Sequence, residues 1–182
     1  MIRLALILAE GFEEVEALTP VDLLRRAGIG CDMVSLSGGA SVVGSHGVGI
    51  LADAAWDAAD FGAYDGVILP GGLRGTQRLL ADARVEALLQ RYFAEGKLTA
   101  AICTAPTVLA QAGLLAGKRA ICYPGMEDRL TGAVVTAERA VRDGTVITSR
   151  GMGTSIPFGL ALVEYYLGKE AADALAAKIV SR

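Results

Sequence analysis

The stretch "TAAICTAPTVLAQAG", residues 99–113, predicts a buried strand that passes directly into a helix. Its first five residues are small or apolar, as in a strand covered on both faces, and Pro106 suits the first turn of a following helix. Ala101 and Ala105 flank Cys103, so only small side chains surround the turn. The stretch is therefore one β–α unit with a cysteine where the strand ends.

The same alternation continues in both directions along the chain. Strand-like runs lie at 2–9, 31–36 and 64–72, and helical periodicity at 13–28, 82–96, 106–115, 153–168 and 169–182. The glycine-rich residues 37–49 predict a loop or small hairpin, and Asp143-Gly144 predicts a second hairpin. This order predicts an α/β fold with a mostly parallel sheet and helices on both sides, with functional residues at the carboxyl ends of the strands.

Composition limits the classes of protein that fit. The chain has 182 residues, of which 53% are hydrophobic, so we expect a single domain, 1–182, with one core. It contains no apolar run of the roughly 18 residues that a membrane helix needs, which predicts a cytoplasmic protein without a membrane partner. A net charge of -3 provides no basic surface for nucleic acid.

Motifs for metals and nucleotides are absent. The 3 cysteines are widely spaced and there is 1 histidine, which argues against disulfides and against a zinc site. Neither "GVG" at 47–49 nor "GMG" at 151–153 continues into the dinucleotide-binding pattern, and "GLLAGKR" at 113–119 does not fit a phosphate loop. We therefore expect no cofactor and no metal.

Cys103 has two interpretations from its local sequence. A sharp turn from strand to helix resembles a nucleophile elbow, where helix N–H groups would lower the pKa of the thiol and could also hold an oxyanion with the Gly71-Gly72 turn. The alternative is an unreactive buried thiol. For Cys31 and Cys122, both in or beside apolar strand-like segments, the unreactive interpretation is favoured.

A base for this cysteine is harder to find. Thr104 follows Cys103, so the adjacent Cys-His pair of many hydrolases is missing, and His46 lies in the glycine-rich loop, where a solvated or structural role is expected. Glu16 shares a helical stripe with Leu23, which would draw it inward, whereas a solvated acidic first turn is the alternative.

Four segments together resemble the DJ-one branch of the ThiJ/PfpI superfamily over essentially the whole chain. They are "LILAEGFEEVEALTPVDLLRRAGI" (6–29), "YDGVILPGG" (64–72), "AAICTAPTVLA" (100–110) and "LTGAVVTAERAVRDGTVITSRGMGTSIPFGLALVE" (130–164). The resemblance implies a flavodoxin-like three-layer α/β sandwich and a homodimer.

The resemblance also assigns site residues. Cys103 takes the position of the family's nucleophile, and Glu16 that of a protonated glutamic acid whose raised pKa lets it donate to the sulfur. Gly72 and Thr104 match the backbone N–H groups of the oxyanion site. Arg26 matches an arginine near the dimer interface and the pocket.

The chain departs from the family pattern at two positions. Tyr123 stands where members with glyoxalase or deglycase activity often have a histidine, and a phenol with a pKa near 10 is a weaker proton shuttle at neutral pH. Because Thr104 replaces the histidine of the protease branch, protease activity is disfavoured.

Two functions use the same thiolate. The first is a stress-response enzyme that acts on reactive aldehydes through a low-pKa Cys103, as a glutathione-independent glyoxalase or deglycase. The second is a redox sensor or chaperone in which peroxide oxidises Cys103 to a sulfinate beside Glu16, with no physiological substrate. The thiazole-biosynthesis role often attached to this family has no support from the site residues.

Overall fold

The computed structural model describes residues 1–181 and contains one central sheet of seven strands. Its strands lie in the order β10-β11-β7-β6-β1-β2-β5, and only β10 is antiparallel to its neighbour. The strands of the sheet are β1 (Arg3–Leu8), β2 (Gly30–Ser35), β5 (Ala54–Ala55), β6 (Gly66–Leu69), β7 (Leu98–Ile102), β10 (Ala140–Asp143) and β11 (Val146–Ser149). Two small pairs lie outside it, namely β3 (Ser41–Val43) with β4 (Gly49–Leu51) and β8 (Arg119–Ala120) with β9 (Val134–Val135).

Six helices cover the two faces of the sheet. They are α1 (Glu14–Arg26), α2 (Leu73–Ala81), α3 (Ala83–Ala94), α4 (Pro106–Gln111), α5 (Ser155–Leu167) and α6 (Lys169–Lys178). Side chains of α1, α5 and α6 pack on one face, and those of α2, α3 and α4 pack on the other. The predicted three-layer α/β sandwich with a mostly parallel sheet is therefore confirmed.

The central strands are apolar on both faces because both faces are covered. Residues 4–8 of β1 are fully buried, with alternate side chains in the two halves of the core. Burying one large aliphatic side chain stabilises the fold by about 1.5–3 kcal/mol, so a continuous apolar run suits this strand better than an alternating one.

The parallel strands bring four loops to one edge of the sheet. Glu10 follows β1, Gly71 follows β6, Cys103 follows β7 and Gly151 follows β11. The register between β7 and β11 pairs Ile102 with Ser149, so the loops after these two strands begin side by side. This edge is where α/β sheets of this kind place their functional sites.

The observed elements differ from the sequence predictions in several places, since the short strands β5, β8 and β9 were not predicted and two helices also differ. Helix α4 was predicted over 106–115 but ends at Gln111, because Gly113 (φ 81°) and Leu114 donate N–H groups to Ala110 and Leu109 and close the helix. Helix α2 was not predicted. Its polar and apolar side chains lie on opposite faces, with Gly75, Thr76 and Leu79 buried, and it follows directly on the Gly71-Gly72 turn, which was interpreted only as the end of a strand.

Other predictions agree with the structure. The small hairpin predicted as one of two alternatives for 37–49 is present as β3 and β4, which extend to Leu51, and the hairpin around Asp143-Gly144 is present as β10 and β11. Among residues 1–181, no helix is both long enough and apolar enough to cross a membrane. The assignment of 1–182 to a single domain stays a prediction.

Candidate active site

Cys103 lies at the sharp turn that the sequence predicts. Its backbone is in the left-handed region (φ 66°), a conformation that costs a non-glycine residue roughly 1–3 kcal/mol and is concentrated at functional sites. The turn is held on both sides, because the Cys103 N–H donates to the Ser149 carbonyl at 2.9 Å and the Cys103 carbonyl accepts from the Tyr123 N–H at 2.7 Å. The strained turn thus fixes the direction of the thiol, which is 8% exposed.

Glu16 is the acidic group that accompanies the thiol. It lies in the first turn of α1, is 1% exposed, and accepts the Gly71 N–H at 3.0 Å. Its carboxyl also forms a hydrogen bond with the Cys103 side chain. The inward orientation of Glu16, one of two alternatives from the sequence, is therefore the observed one.

Gly71 leaves the space in which these two side chains meet. A β-carbon added there would lie 2.5 Å from Glu16 Oε2, 2.6 Å from Cys103 Cβ and 3.0 Å from Cys103 Sγ. Any side chain at this position would push the carboxyl and the thiol apart. Gly71 was noted in the sequence only as part of a turn, and its role in this contact becomes visible in three dimensions.

Burial controls the proton of Glu16. It raises the pKa of this carboxyl from 4.5 to about 7, and the negative charge of Glu13 acts in the same direction. The bonds from Cys103, Gly71 and Met152 lower the pKa but do not outweigh burial. Near neutral pH, Glu16 can therefore both hold and release a proton.

The predicted low pKa of Cys103 is not what the surroundings of the thiol produce. Burial raises the pKa of Cys103, as do the charge of Glu16 and its hydrogen bond, whereas the N–H groups of Gly72 and Thr104 lower it by a smaller amount. The short α4, of six residues, adds only a weak helix dipole. A thiolate at neutral pH therefore depends on Glu16 carrying the proton that the two groups share.

Gly72 and Thr104 supply the backbone N–H groups expected of an oxyanion site. Both N–H groups interact with the Cys103 sulfur. Gly72 has φ 89°, and a β-carbon there would lie 2.6 Å from the backbone nitrogen of Glu13, so only glycine fits against the loop before α1. The two groups bracket the sulfur from different loops and could also stabilise a negative oxygen bonded to it.

Thr104 is held by two further threonines. Its hydroxyl lies 2.6 Å from that of Thr76, and its carbonyl accepts the Thr107 hydroxyl at 2.7 Å. All three side chains are buried. The contact with Thr76 was missed from the sequence because α2, which carries it, was not predicted.

Tyr123 lies at the mouth of the site. Its side chain is half exposed, and its ring approaches Gly151, where an added β-carbon would lie 3.5 Å from the ring and 3.8 Å from Glu16 Oε1. The phenol ring of Tyr123 and the carboxyl of Glu16 therefore both lie next to Gly151. The role of Tyr123 in binding or proton transfer stays a prediction.

Arg26 is not among the groups around the thiol. It forms an ion pair with Asp22 on an exposed part of α1 and lines a shallow groove with Leu23, Ile156 and Ile179. Within one chain the structure does not bring Arg26 to Cys103. Its predicted place near a dimer interface stays a prediction.

The other two cysteines have no comparable surroundings. Cys31 and Cys122 are buried, and burial raises the pKa of their thiols to about 12 and about 11. Both are free thiols. The unreactive role of these two cysteines stays a prediction.

The fold and this site define a class of protein, namely a doubly covered parallel α/β sheet with a cysteine at a nucleophile elbow and a buried glutamic acid beside it. The sequence profile of the DJ-1/PfpI family matches residues 2–165, and the chain belongs to that family. It is 42% identical over 166 residues to protein dj-1beta of Drosophila melanogaster, covering 90% of this chain and 89% of that protein. It is 32% identical over 153 residues to a protein of Pyrococcus abyssi named a deglycase, covering 83% of this chain and 91% of the other.

The fold of this chain also matches a solved structure. The oxidized form of Toxoplasma gondii DJ-1 matches with a TM-score of 0.95 and 34% identity, covering 100% of this chain and 99% of that one. The likeness extends over the whole fold, including the edge of the sheet where Cys103 and Glu16 lie.

Proposed function

We propose that this chain is a cysteine-dependent enzyme of glyoxalase or deglycase type, which acts on small reactive aldehydes without glutathione or another cofactor. The observation that carries the proposal is the buried Glu16 carboxyl next to the Cys103 thiol, with two backbone N–H groups directed at the sulfur. The relative named a deglycase supports the same chemistry.

The reaction with methylglyoxal begins with the proton on Glu16 and the negative charge on Cys103. The thiolate forms a C–S bond to the aldehyde carbon, and the carbonyl π electrons move to oxygen, which receives the proton of Glu16. The N–H groups of Gly72 and Thr104 stabilise the oxygen while it is negative. The product is a hemithioacetal beside an ionised Glu16.

Glu16 then acts as a base and afterwards as an acid. Its carboxylate removes the proton from the former aldehyde carbon, giving an enediolate, and returns this proton to the adjacent carbon, while the hydroxyl proton on the former aldehyde carbon moves to the neighbouring oxygen. The result is a thioester of lactate, which water hydrolyses to release lactate and the Cys103 thiol. One methylglyoxal and one water give one lactic acid, so no oxidant or reductant is needed.

The test is lactate formation from methylglyoxal by purified wild type, Cys103→Ser and Glu16→Gln. Both variants should lose at least about a hundredfold in kcat/KM, because one lacks the nucleophile and the other the proton carrier. Cys122→Ser is the matched control, since it removes a buried thiol outside the site and should keep its activity. Full activity in Cys103→Ser would overturn the proposal.

A second function is supported by the hydrogen-bond donors around the Cys103 thiol and by the relative solved in an oxidized state. Cys103 is the most exposed of the three cysteines, and the hydrogen-bond donors around it suit a sulfinate. Mild peroxide should add two oxygens at Cys103 and none at Cys31, as read by intact mass and peptide mapping. A sensor without enzyme activity would show this oxidation but no lactate.

We also propose that the chain works in the cytoplasm as a homodimer. Three free thiols suit a reducing compartment. Exposed apolar side chains at Val15, Met152 and Ile156 lie on or beside α1 and α5, and Ile156 lines the same groove as Arg26. Light scattering should give twice 18.8 kDa, and Ile156→Glu should give the monomer mass.

A further inference from the structure

The loop between β3 and β4 brings the chain's single histidine to two glutamates at the start of α1. His46 Nδ1 lies 3.2 Å from Glu14 Oε2 and 3.5 Å from Glu13 Oε2. The Ser45 hydroxyl lies 3.0 Å from Glu13 Oε2, 3.2 Å from Glu14 Oε2 and 3.0 Å from His46 Nδ1. One nitrogen and three oxygens therefore converge on one point outside the site of Cys103.

Hydrogen bonds with neighbouring backbone groups hold the cluster in place. Glu14 Oε1 accepts the N–H groups of His46 at 2.7 Å and Val48 at 3.4 Å, which leaves Oε2 directed at the cluster. Ser45 donates its N–H to the Phe12 carbonyl at 2.8 Å, and a side chain at Gly44 would overlap the Glu14 carboxyl group. The loop at 44–48 therefore packs closely against Glu14, and the possible metal-ligand atoms already lie close together.

Two protons link the four polar atoms of the cluster. The Ser45 hydroxyl can donate to Glu13 Oε2 and the His46 ring to Glu14 Oε2. Among residues 1–181, His46 is the basic side chain that pairs with these glutamates. A divalent cation at the centre would replace these two protons and bond directly to the carboxylate oxygens, the imidazole nitrogen and the hydroxyl oxygen.

We propose that Glu13, Glu14 and His46 bind a divalent first-row metal ion such as Zn²⁺, with the Ser45 hydroxyl or a water as the fourth ligand. Zinc takes His nitrogen and carboxylate oxygen at about 2.0–2.2 Å, and a tetrahedron of that size has edges of roughly 3.4 Å. The separations of 3.2 and 3.5 Å between His46 Nδ1 and the two carboxylate oxygens match such edges. The nitrogen ligand favours zinc or its neighbours over Ca²⁺ and Mg²⁺, which take oxygen ligands.

The bound ion would join two segments that are distant in sequence. Glu13 and Glu14 begin α1, and His46 belongs to the β3–β4 loop, so the metal links this loop to the helix that carries Glu16. Because an ion that binds only the folded chain stabilises it, the melting temperature should rise with zinc concentration.

The experiment uses the full chain freed of metal by a chelator and then titrated with zinc chloride alone. Affinity is measured by competition with a chromophoric chelator, and the bound ligand is identified by NMR of the imidazole, which is unambiguous because the chain has 1 histidine. The variants are His46→Asn and Glu14→Gln, whose amides keep the shape of the site. His46 is 72% exposed, so its replacement leaves the fold intact.

Two controls separate this site from the thiol. Glu10→Gln changes a nearby carboxylate that accepts the Val43 N–H and is outside the cluster. Cys103→Ser removes the other group in this part of the chain that could bind zinc. Both should bind zinc as the wild type does.

We expect one zinc ion per chain and a shift of the His46 resonances on binding. His46→Asn and Glu14→Gln should each lose at least about tenfold in zinc affinity, which is the size of loss that mutations around metal sites cause in other proteins. The proposal is overturned if the wild type binds no zinc, if the His46 resonances do not move, or if binding survives in His46→Asn and disappears in Cys103→Ser. None of these outcomes depends on turnover of an aldehyde.

Discussion

The replacement Gly71→Ala tests whether the contact between Glu16 and Cys103 controls reactivity. The added methyl group would lie 2.5 Å from Glu16 Oε2 and 2.6 Å from Cys103 Cβ, well inside ordinary contact distances. Gly71 is not among the residues with positive φ, so an alanine is compatible with its backbone. The effect of the change should therefore come from displacement of the two side chains rather than from backbone strain.

The size of the effect follows from these distances. Relieving the overlap moves the carboxyl or the thiol by about 1 Å, and a misplacement of that size costs about a hundredfold in rate. The same movement weakens the bond of 3.0 Å from the Gly71 N–H to Glu16. Overpacking a buried site should also lower the free energy of unfolding by about 1–3 kcal/mol.

The assay is kcat/KM for lactate formation from methylglyoxal, together with urea unfolding of the same protein. Gly153→Ala is the matched control, because a β-carbon there meets no atom within 4 Å. Gly71→Ala should lose activity, whereas Gly153→Ala should match the wild type in rate and stability. If Gly71→Ala keeps the wild-type kcat/KM, the argument that these two groups must touch is wrong.

Two further predictions concern stability. Burial raises the pKa of Glu16 from 4.5 to about 7, so folding favours the protonated carboxyl. The resulting contribution to the free energy of unfolding is fully present below pH 4.5, and up to about 3 kcal/mol of that free energy is lost as the pH rises to 7. Urea unfolding should show this loss in the wild type but not in Glu16→Gln, and equal pH profiles would contradict the assignment. Thr76→Val leaves the buried Thr104 hydroxyl without its partner and should lower the free energy of unfolding by about 1–3 kcal/mol. Thr76→Ser keeps a hydroxyl at this position and should retain most of the wild-type stability. Equal stability of the two variants in urea would refute the role of this bond.

The fold could be predicted from the sequence where hydrophobic patterning was strong. The continuous apolar runs of β1, β6 and β7 indicated a sheet buried on both faces, and glycines at the ends of α1 and α3 marked where these helices stop. Helix α2 was missed although its polar and apolar side chains lie on opposite faces, because the Gly71-Gly72 turn before it was interpreted only as the end of a strand. The length of α4 was overestimated because Gly113 closes the helix inside an apolar run.

The site was predictable in its residues but not in its electrostatics. The small neighbours of Cys103 indicated the sharp turn, and the family resemblance supplied Glu16. The direction of the Cys103 pKa could not be read from the chain, because it depends on burial and on the approach of a carboxyl from a distant segment. The gathering of Glu13, Glu14 and His46 depends on how a glycine-rich loop folds back, which periodicity does not report.

The most direct test of the central claim is the pH dependence of alkylation at Cys103, measured by the rate of iodoacetamide incorporation in wild type and Glu16→Gln. If the two groups share one proton, the wild-type rate should rise with a midpoint at about pH 7, where Glu16 and Cys103 together lose their first proton, and then level off. In Glu16→Gln this step should vanish, and alkylation should follow the Cys103 thiol alone, whose pKa is then raised by burial and no longer by the charge of Glu16. Identical profiles in the two proteins would contradict the claim that Glu16 governs the reactivity of Cys103.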